Sequence, residues 1–385
     1  MLVNLSALPP VEIGNATEFV RLLRRDLELV RPVVASHGEH KSRKVLVVGV
    51  ECPDGTHAWS ECGAPDDASY TGETADDAEG FLRDMIPSVF AGRSSVSAHT
   101  IRSLVIAIDA EACMRHPMAV AALESAVLDA QLRSAGVAFE SLFGVGAKRA
   151  ASAGATLGNA PLAETSSGGL IDLVLNDALD AVAAGYSRLK LKIGPGLMTT
   201  ELVRRLRDVV ADDVVLLGDA NGAYEPADLD HVASLGELGL DIVEQPFAAH
   251  DTATHQALVA TGTIRVVLDE GINAATEALD ALANHECTDI TLKPARFGYL
   301  ACLEVLNRLT DHGAGAWIGG MFDTGIARWA NVRLASHPAV TLPSDIGASA
   351  RYWVHDLTEP VTANAGLVTV PGVRRPGLSG VPLDA

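Results

Sequence analysis

Positive charge is what this chain most lacks. Its 385 residues carry 29 Lys and Arg against 49 Asp and Glu, a formal charge of −20. That balance excludes nucleic acid and an anionic membrane surface as partners. Cysteine is scarce and unpatterned: Cys52, Cys62, Cys113, Cys287 and Cys302 are odd in number, widely spaced and without a CxxC pair. They are expected as reduced thiols in a cytoplasmic protein. No stretch approaches the roughly 20 apolar residues of a membrane span. Residues 1–14 have neither the basic start nor the apolar run of a signal peptide. Gly144-Val145-Gly146-Ala147-Lys148 fails as a phosphate loop on spacing, with Arg149 where Ser or Thr belongs. It is expected as a plain loop.

What the chain does have is a repeated apolar strand that ends in charge. In Leu189-Lys190-Leu191-Lys192-Ile193 apolar and basic residues alternate, so a strand points the leucines one way and the lysines the other. Four further apolar runs end at Asp219, Glu244, Asp269 and Lys293. From Lys192 onward these residues follow one another at intervals of 24 to 27. One strand, one loop and one helix fill such an interval. The rhythm is that of a β/α barrel, whose catalytic residues sit at the C-terminal ends of successive strands.

The first third reads differently. Strand-like runs at 27–34, 44–51 and 57–61 precede helices at 75–86, 100–109 and 117–134, the last amphipathic. Residues 35–43 are expected as a polar, flexible loop and Thr17–Leu23 as a helical turn or two. The barrel is expected to begin with a strand at Ala151–Leu157 and to end with one near Val340–Leu342. The expected division is an α+β unit over 1–140, with 1–22 as an extra arm, a barrel over 141–350, and a segment 351–385 that packs back on the first unit.

Asp219, Glu244 and Asp269 would point from three adjacent strands into one mouth. Three oxygen ligands with open positions suit Mg²⁺, for which Mn²⁺ can substitute. No His or Cys stands at these strand ends, so zinc is not expected. Lys192 and Lys293 would flank the ion from opposite sides. A lysine acts as a base only after losing its proton, and the charge of Lys190 and of the metal favours that loss. A metal on a substrate carboxylate also stabilises the enediolate formed when an α-proton leaves. The inferred chemistry is proton abstraction next to a carboxylate. Asn221 and Glu270 are placed to orient Lys190 or Lys293.

Lys190-Leu191-Lys192, Asp219-Ala220-Asn221, Glu244-Gln245-Pro246, Asp269-Glu270 and Leu292-Lys293-Pro294 together resemble the enolase superfamily, within it the muconate-lactonizing subgroup. Trp59-Ser60-Glu61-Cys62 resembles that family's capping domain. The resemblance covers nearly the whole chain after about residue 22. It implies an α/β fold: a (β/α)7β TIM-like barrel whose mouth is closed by an α+β N-terminal capping domain. The stretch from Trp317 to Gly325, followed by Leu342-Pro343-Ser344-Asp345-Ile346, is similar to the o-succinylbenzoate synthases and the N-succinylamino acid racemases. The former dehydrate a succinylated cyclohexadiene carboxylate on the menaquinone pathway.

That resemblance implies Lys192 as the base and Lys293 as the stabiliser of the enolate. In a racemase the two lysines exchange the proton from opposite faces. A muconate cycloisomerase-like reaction is a third expectation, and a homo-oligomer is expected of the family. Gly320, Met321, Thr324 and Arg296 are the expected contacts of a small-molecule carboxylate substrate, with residues 37–43 also reaching its distal carboxylate. The sequence departs from its relatives at Asp323, where they usually carry Glu. It departs also at Ala295 and Tyr299, which replace glycines, and at Gly271, which replaces Ser. Tyr299 is expected to narrow the pocket.

Overall fold

The computed structural model describes residues 8–35, 38–68, 71–157, 168–309, 313–372 and 375–383. The first unit is built on an antiparallel sheet of β1 (Val20–Ala35), β2 (Gly38–Glu51) and β3 (His57–Cys62). Strand alternation gives this sheet two apolar faces. Leu46, Val48 and Val50 pack with the unit's own helices. Val45, Val47, Leu27 and Leu29 pack instead with Ile326 and Trp353 of the later chain. The sheet is therefore covered on both sides, by helices on one and by the barrel on the other.

The helices are α1 (Ala75–Phe90), α2 (Ala98–Ile108) and α3 (Pro117–Ser134). The sequence predicts one apolar stripe on α3, but the structure buries every residue from Met118 to Leu132. The helix is wedged between sheet and barrel, so its polar residues need internal partners. Glu73 caps its start, accepting from the N–H groups of Met118 and Ala119 at 2.8 and 2.9 Å. Asp129 accepts from Trp59 N, Arg133 Nε, Leu378 N and Ser379 N. One carboxylate thus joins the hairpin, the helix and the C-terminal segment.

Two expectations near the start are corrected. Residues 8–22 lie against the first unit: Leu8, Val11 and Ile13 are buried, and Val11 pairs with Val96. The helix there is only Ala16–Phe19, and the chain is already in β1 at Val20. Nor is 35–43 a loop, because β1 and β2 run on as one long hairpin to Ala35 and Gly38. Residues 36 and 37 lie outside the described residues.

Seven parallel strands form the barrel: β4 (Ala155–Thr156), β5 (Arg188–Lys192), β6 (Val215–Asp219), β7 (Ile242–Glu244), β8 (Arg265–Leu268), β9 (Asp289–Leu292) and β10 (Ala316–Ile318). Each lies beside the next in sequence order. The expected first strand is split. Ala150–Ser152 pairs antiparallel with Leu367–Thr369, and only Ala155–Thr156 joins the barrel. Gly154 marks the break, where a Cβ would overlap the Arg188 guanidinium.

The two edges are closed by 342–345 rather than 340–342. Leu342 N and Asp345 N donate to β10 carbonyls at 3.0 and 2.8 Å. On the other edge Gly154 N donates to Ser344 O and Ser344 N to Ser152 O, both at 2.8 Å. The result is a (β/α)7β barrel with an N-terminal α+β domain.

Alternation sorts the barrel side chains into two sets. Leu189, Leu191, Leu216, Val243, Val266 and Ile290 face the surrounding helices in the large core. Leu217, Ile242, Val267 and Trp317 meet one another inside the barrel. This is the layered filling of a closed barrel, and it floors the mouth above it.

Glu124, in α3, is wholly buried, with the Arg102 guanidinium 3.9 Å away. Burial pushes its carboxyl from an ordinary 4.5 up to about 7, against the pull of Arg102. The folded chain then holds a proton that the unfolded chain has lost between those two values, so stability falls as pH rises through that window. Glu124→Gln is expected to melt with the wild type near pH 4 and above it at pH 8. Thermal denaturation across that range measures the gap, and a gap that stays constant with pH refutes the assignment.

Candidate active site

The interior row above the apolar floor is charged. Lys190 and Lys192 come from β5, Asp219 ends β6, Glu244 ends β7, Asp269 follows β8 and Lys293 follows β9. Each takes this place because alternation turns its apolar neighbours outward. Strand register sets Lys192 beside Asp219, and Asp219 beside Glu244. The structure brings together all six residues that the sequence singled out.

Lys190 lies at the centre. Its Nζ is 2.6 Å from Glu244 Oε2 and 3.1 Å from Asp219 Oδ2. Burial alone would lower its pKa, but Asp219, Glu244 and Asp345 more than reverse this and hold the ammonium well above its ordinary value. Burial raises Asp219, and Lys190, Lys192 and Lys293 overcome it, so its carboxyl stays well below the usual range. For Glu244 burial wins. Its carboxyl is pushed up to about 7 although Lys190 pulls it down, with Asp219 and Asp269 adding repulsion.

The outer lysines are unequal. Lys192 donates to Asp219 Oδ2 at 2.8 Å and to Asn221 Oδ1. Asn221 in turn donates to Glu270 Oε1 at 2.7 Å. Lys293 donates to Asp269 Oδ2. The Lys192 side chain is 41% exposed and that of Lys293 only 6%. Asn221 and Gln245 both sit at positive φ, 44° and 41°. Strain of this kind collects at functional sites.

Asp219, Glu244 and Asp269 offer only oxygen donors, the set that suits a small hard cation. Glu244 is completely buried; Lys190 Nζ stands 2.6 Å from its Oε2, and its Oε1 has no hydrogen-bond donor. Such an orphaned oxygen fits a cation ligand. Among the described residues no three acidic, His or Cys side chains are drawn together around one point. Each of these carboxylates is turned onto a lysine.

The residues expected to contact substrate have partners within the protein. Arg296 is buried behind Asp269, donating to its carboxylate at 3.1 Å and to the carbonyls of Asp269 and Ile272. Thr324 is wholly buried and donates through N and Oγ1 to Glu61 of the first unit. Arg43 reaches across to the carbonyls of Met321 and Phe322 and pairs with Glu61 at 3.6 Å. These groups fasten the 321–324 turn to the antiparallel sheet. His37 lies outside the described residues. Gly320 stays small of necessity, because a Cβ there would sit 2.9 Å from Asp323 Oδ2 and 3.1 Å from Asp345 O. Met321 is buried beneath the same turn, its N–H 3.3 Å from the Asp323 carboxylate.

The departures from the relatives find partners. Tyr299 donates to Asn331 Oδ1 at 2.7 Å, and Asn331 donates to Asp323 Oδ2 at 3.1 Å. Two changes far apart in sequence are thus one chain of hydrogen bonds. It ties the Tyr299 hydroxyl beneath the turn rather than leaving it to narrow the pocket. Ala295 is received by Gly63, where a Cβ would come within 2.6 Å of it. Sequence reasoning gave no role to Gln245 or to Asp345, which pairs with the fully buried Arg188.

A Cβ on Gly319 would lie 2.8 Å from Thr291 Oγ1 and 3.0 Å from Lys293 Cγ. Gly319→Ala is expected to cost about 1–3 kcal/mol, the usual range for overpacking. Thr291→Ala in the same background recovers part of the loss. Urea titration of the double-mutant cycle checks this, and strict additivity contradicts it.

Comparison with known proteins places the chain. Residues 19–144 match the mandelate racemase/muconate lactonizing enzyme N-terminal domain, and residues 174–385 match the enolase C-terminal domain-like family. The N-succinylamino acid racemase of Amycolatopsis sp is 36% identical, the match covering 94% of each chain. The o-succinylbenzoate synthase of Bacillus subtilis (strain 168) is 32% identical over 94% of this chain and 93% of its own. Among solved structures, an unknown member of the enolase superfamily from Enterococcus faecalis V583 has a TM-score of 0.83 at 27% identity, covering 98% of this chain and 97% of that one. Muconate lactonizing enzyme from Pseudomonas fluorescens, at 19% identity and a TM-score of 0.82 over 97% of each, shares the fold. A racemase and a synthase that match end to end, on a barrel with this charged mouth, make the chain a member of the mandelate racemase/muconate lactonizing enzyme family of the enolase superfamily.

Proposed function

We propose that this chain removes a proton from the carbon next to a carboxylate, and that its reaction is the syn-dehydration carried out by o-succinylbenzoate synthases. One observation carries the reading: Lys192 and Lys293 reach the same acidic mouth from the second and sixth staves of the barrel. In a closed eight-membered ring those staves stand opposite each other. A flat substrate carbon between them has one ammonium on each face.

Lys192 is the base. Its side chain is the one of the pair that stays open to the mouth. It breaks the α C–H bond, and the electron pair moves into the carboxyl group. In a syn-elimination the leaving hydroxyl lies on the same face, so the same lysine returns the proton as the C–O bond breaks and water departs. Lys293, enclosed beside Asp269, donates to the oxygen on which negative charge builds.

Asp219, Glu244 and Asp269 are the residues that would hold Mg²⁺, or Mn²⁺ in its place. Such an ion, when bound, supplies fixed positive charge next to the substrate carboxylate. Lys190 stands between two of these carboxylates, and Asn221 and Glu270 orient Lys192. Arg43 and Glu61 hold the 321–324 turn, with which the capping domain over 1–140 closes on the barrel over 141–350 and keeps water from the mouth. A homo-oligomer in the cytoplasm belongs to the same proposal, and five free, buried thiols support that location.

Racemisation of N-succinylamino acids is the second reading. The 36% identical racemase favours it, as does a lysine on each face. There Lys293 delivers a proton to the face opposite Lys192. Dehydration of 2-succinyl-6-hydroxy-2,4-cyclohexadiene-1-carboxylate, followed by absorbance with Mg²⁺ and again with EDTA, separates the two from each other. The wild type is expected to turn over only with metal. Lys192→Ala and Lys293→Ala are each expected to lose at least about 10²–10⁴-fold. A folded, metal-loaded protein that dehydrates nothing but exchanges the α-proton of N-succinylamino acids for deuterium moves the reading to racemisation. Lysine variants of wild-type activity end both.

A further inference from the structure

Gln245 follows Glu244 directly and sits at a φ of 41°, a conformation sterically costly for any side chain larger than glycine. It is 1% exposed, and all its polar atoms are used. Oε1 accepts from the N–H groups of Asp269 and Gly271, both at 3.0 Å. Nε2 donates to Phe247 O at 3.0 Å. Its own N–H donates to Val267 O at 2.8 Å, and its carbonyl accepts from Gly222 N at 2.7 Å. One residue therefore ties together the ends of three successive strands, β6, β7 and β8.

We infer that Gln245 is a positioning residue for both lysines, acting through the Asp269–Gly271 turn that its side-chain oxygen holds. Two routes leave that turn. Asp269 receives Lys293 directly. Glu270, between the two clamped N–H groups, holds Asn221, and Asn221 receives Lys192. A shift of the turn moves both ammonium groups relative to any substrate between them. The neighbouring Gly271 fits this role. A Cβ there would lie 2.9 Å from Ala249 O and 3.3 Å from Gln245 Oε1, so the glycine leaves the clamp its closest approach.

The inference rests on the lysine chemistry proposed above, so its test separates the two. Gln245→Leu keeps the volume and removes the acceptor, while Gln245→Glu keeps an oxygen for the two N–H groups. Each is compared with the wild type in the full chain, by melting temperature and by kcat and KM for α-proton exchange or dehydration. A misplacement of about 1 Å is enough to lose roughly 100-fold in rate. Gln245→Leu is therefore expected to lose about that much in kcat with KM within about threefold, and Gln245→Glu to recover most of it.

Wild-type kcat in Gln245→Leu, or equal loss in both variants, overturns the inference. Hydrogen–deuterium exchange on the wild type covers the case in which the variants do not fold. The N–H groups of Asp269 and Gly271 are expected among the slowly exchanging amides, and fast exchange there refutes the clamp. Protected amides in a wild type that performs neither reaction leave the clamp standing and reject the function.

Discussion

An ammonium group enclosed by two carboxylates sets the terms for everything else at the barrel mouth. Lys190 stands 2.6 and 3.1 Å from Glu244 and Asp219, with the Leu217–Ile242–Val267–Trp317 layer filling the barrel interior. Taking such charges out of water costs several kcal/mol per ion, and attraction offsets this only when the geometry is close. The strands must therefore hold their register, or acids end up buried without a counter-charge. Lys192 and Lys293 then face carboxylates already fixed from behind. The site's chemistry and the barrel's integrity depend on the same contacts.

How much of this was legible depended on whether the signal was local. Alternation within Leu189–Ile193 places both lysines inside, and the recurrence of strand-end charges gives the barrel and its ordered mouth. Those are properties of single strands. The edges of the barrel are not legible in this way, because Ala151–Leu157 has the pattern of one strand until Arg188, distant in sequence, takes the space beside Gly154. Arg296 looked available because a lone arginine carries no mark of its partners, and its partners lie 24 and 27 residues away. Gln245 lay inside a recognised motif, yet nothing in the motif says that its amide spans to another loop. The link from Tyr299 through Asn331 to Asp323 joins three elements and leaves no trace in spacing.

The antiparallel sheet explains why the first unit is more than a lid. Its second face is as apolar as its first, and that face needs Ile326 and Trp353 to be covered. Arg43 and Glu61 project from the same sheet to the 321–324 turn. Apolar packing thus sets the distance between the two units, while a few buried polar groups set their orientation. Ala295, Tyr299 and Asp323, three of the four departures from the relatives, lie at that seam or beside it. Specificity can then change through the seam while the lysines and carboxylates stay fixed.

Asp129 has a consequence for how the molecule is made. It accepts from Trp59 in the hairpin and from Leu378 and Ser379, some 250 residues further on. Gly377 also brackets Val137 and Phe139 through backbone bonds. As the chain leaves the ribosome, the hairpin and α3 emerge long before these partners. Until residue 379 is synthesised, a buried carboxylate lacks two of its donors and the sheet's second face lacks Trp353. The first unit is thus translated ahead of the barrel yet completed after it. The barrel forms beside a half-finished neighbour, and the two lock together only once Leu378 and Ser379 are available.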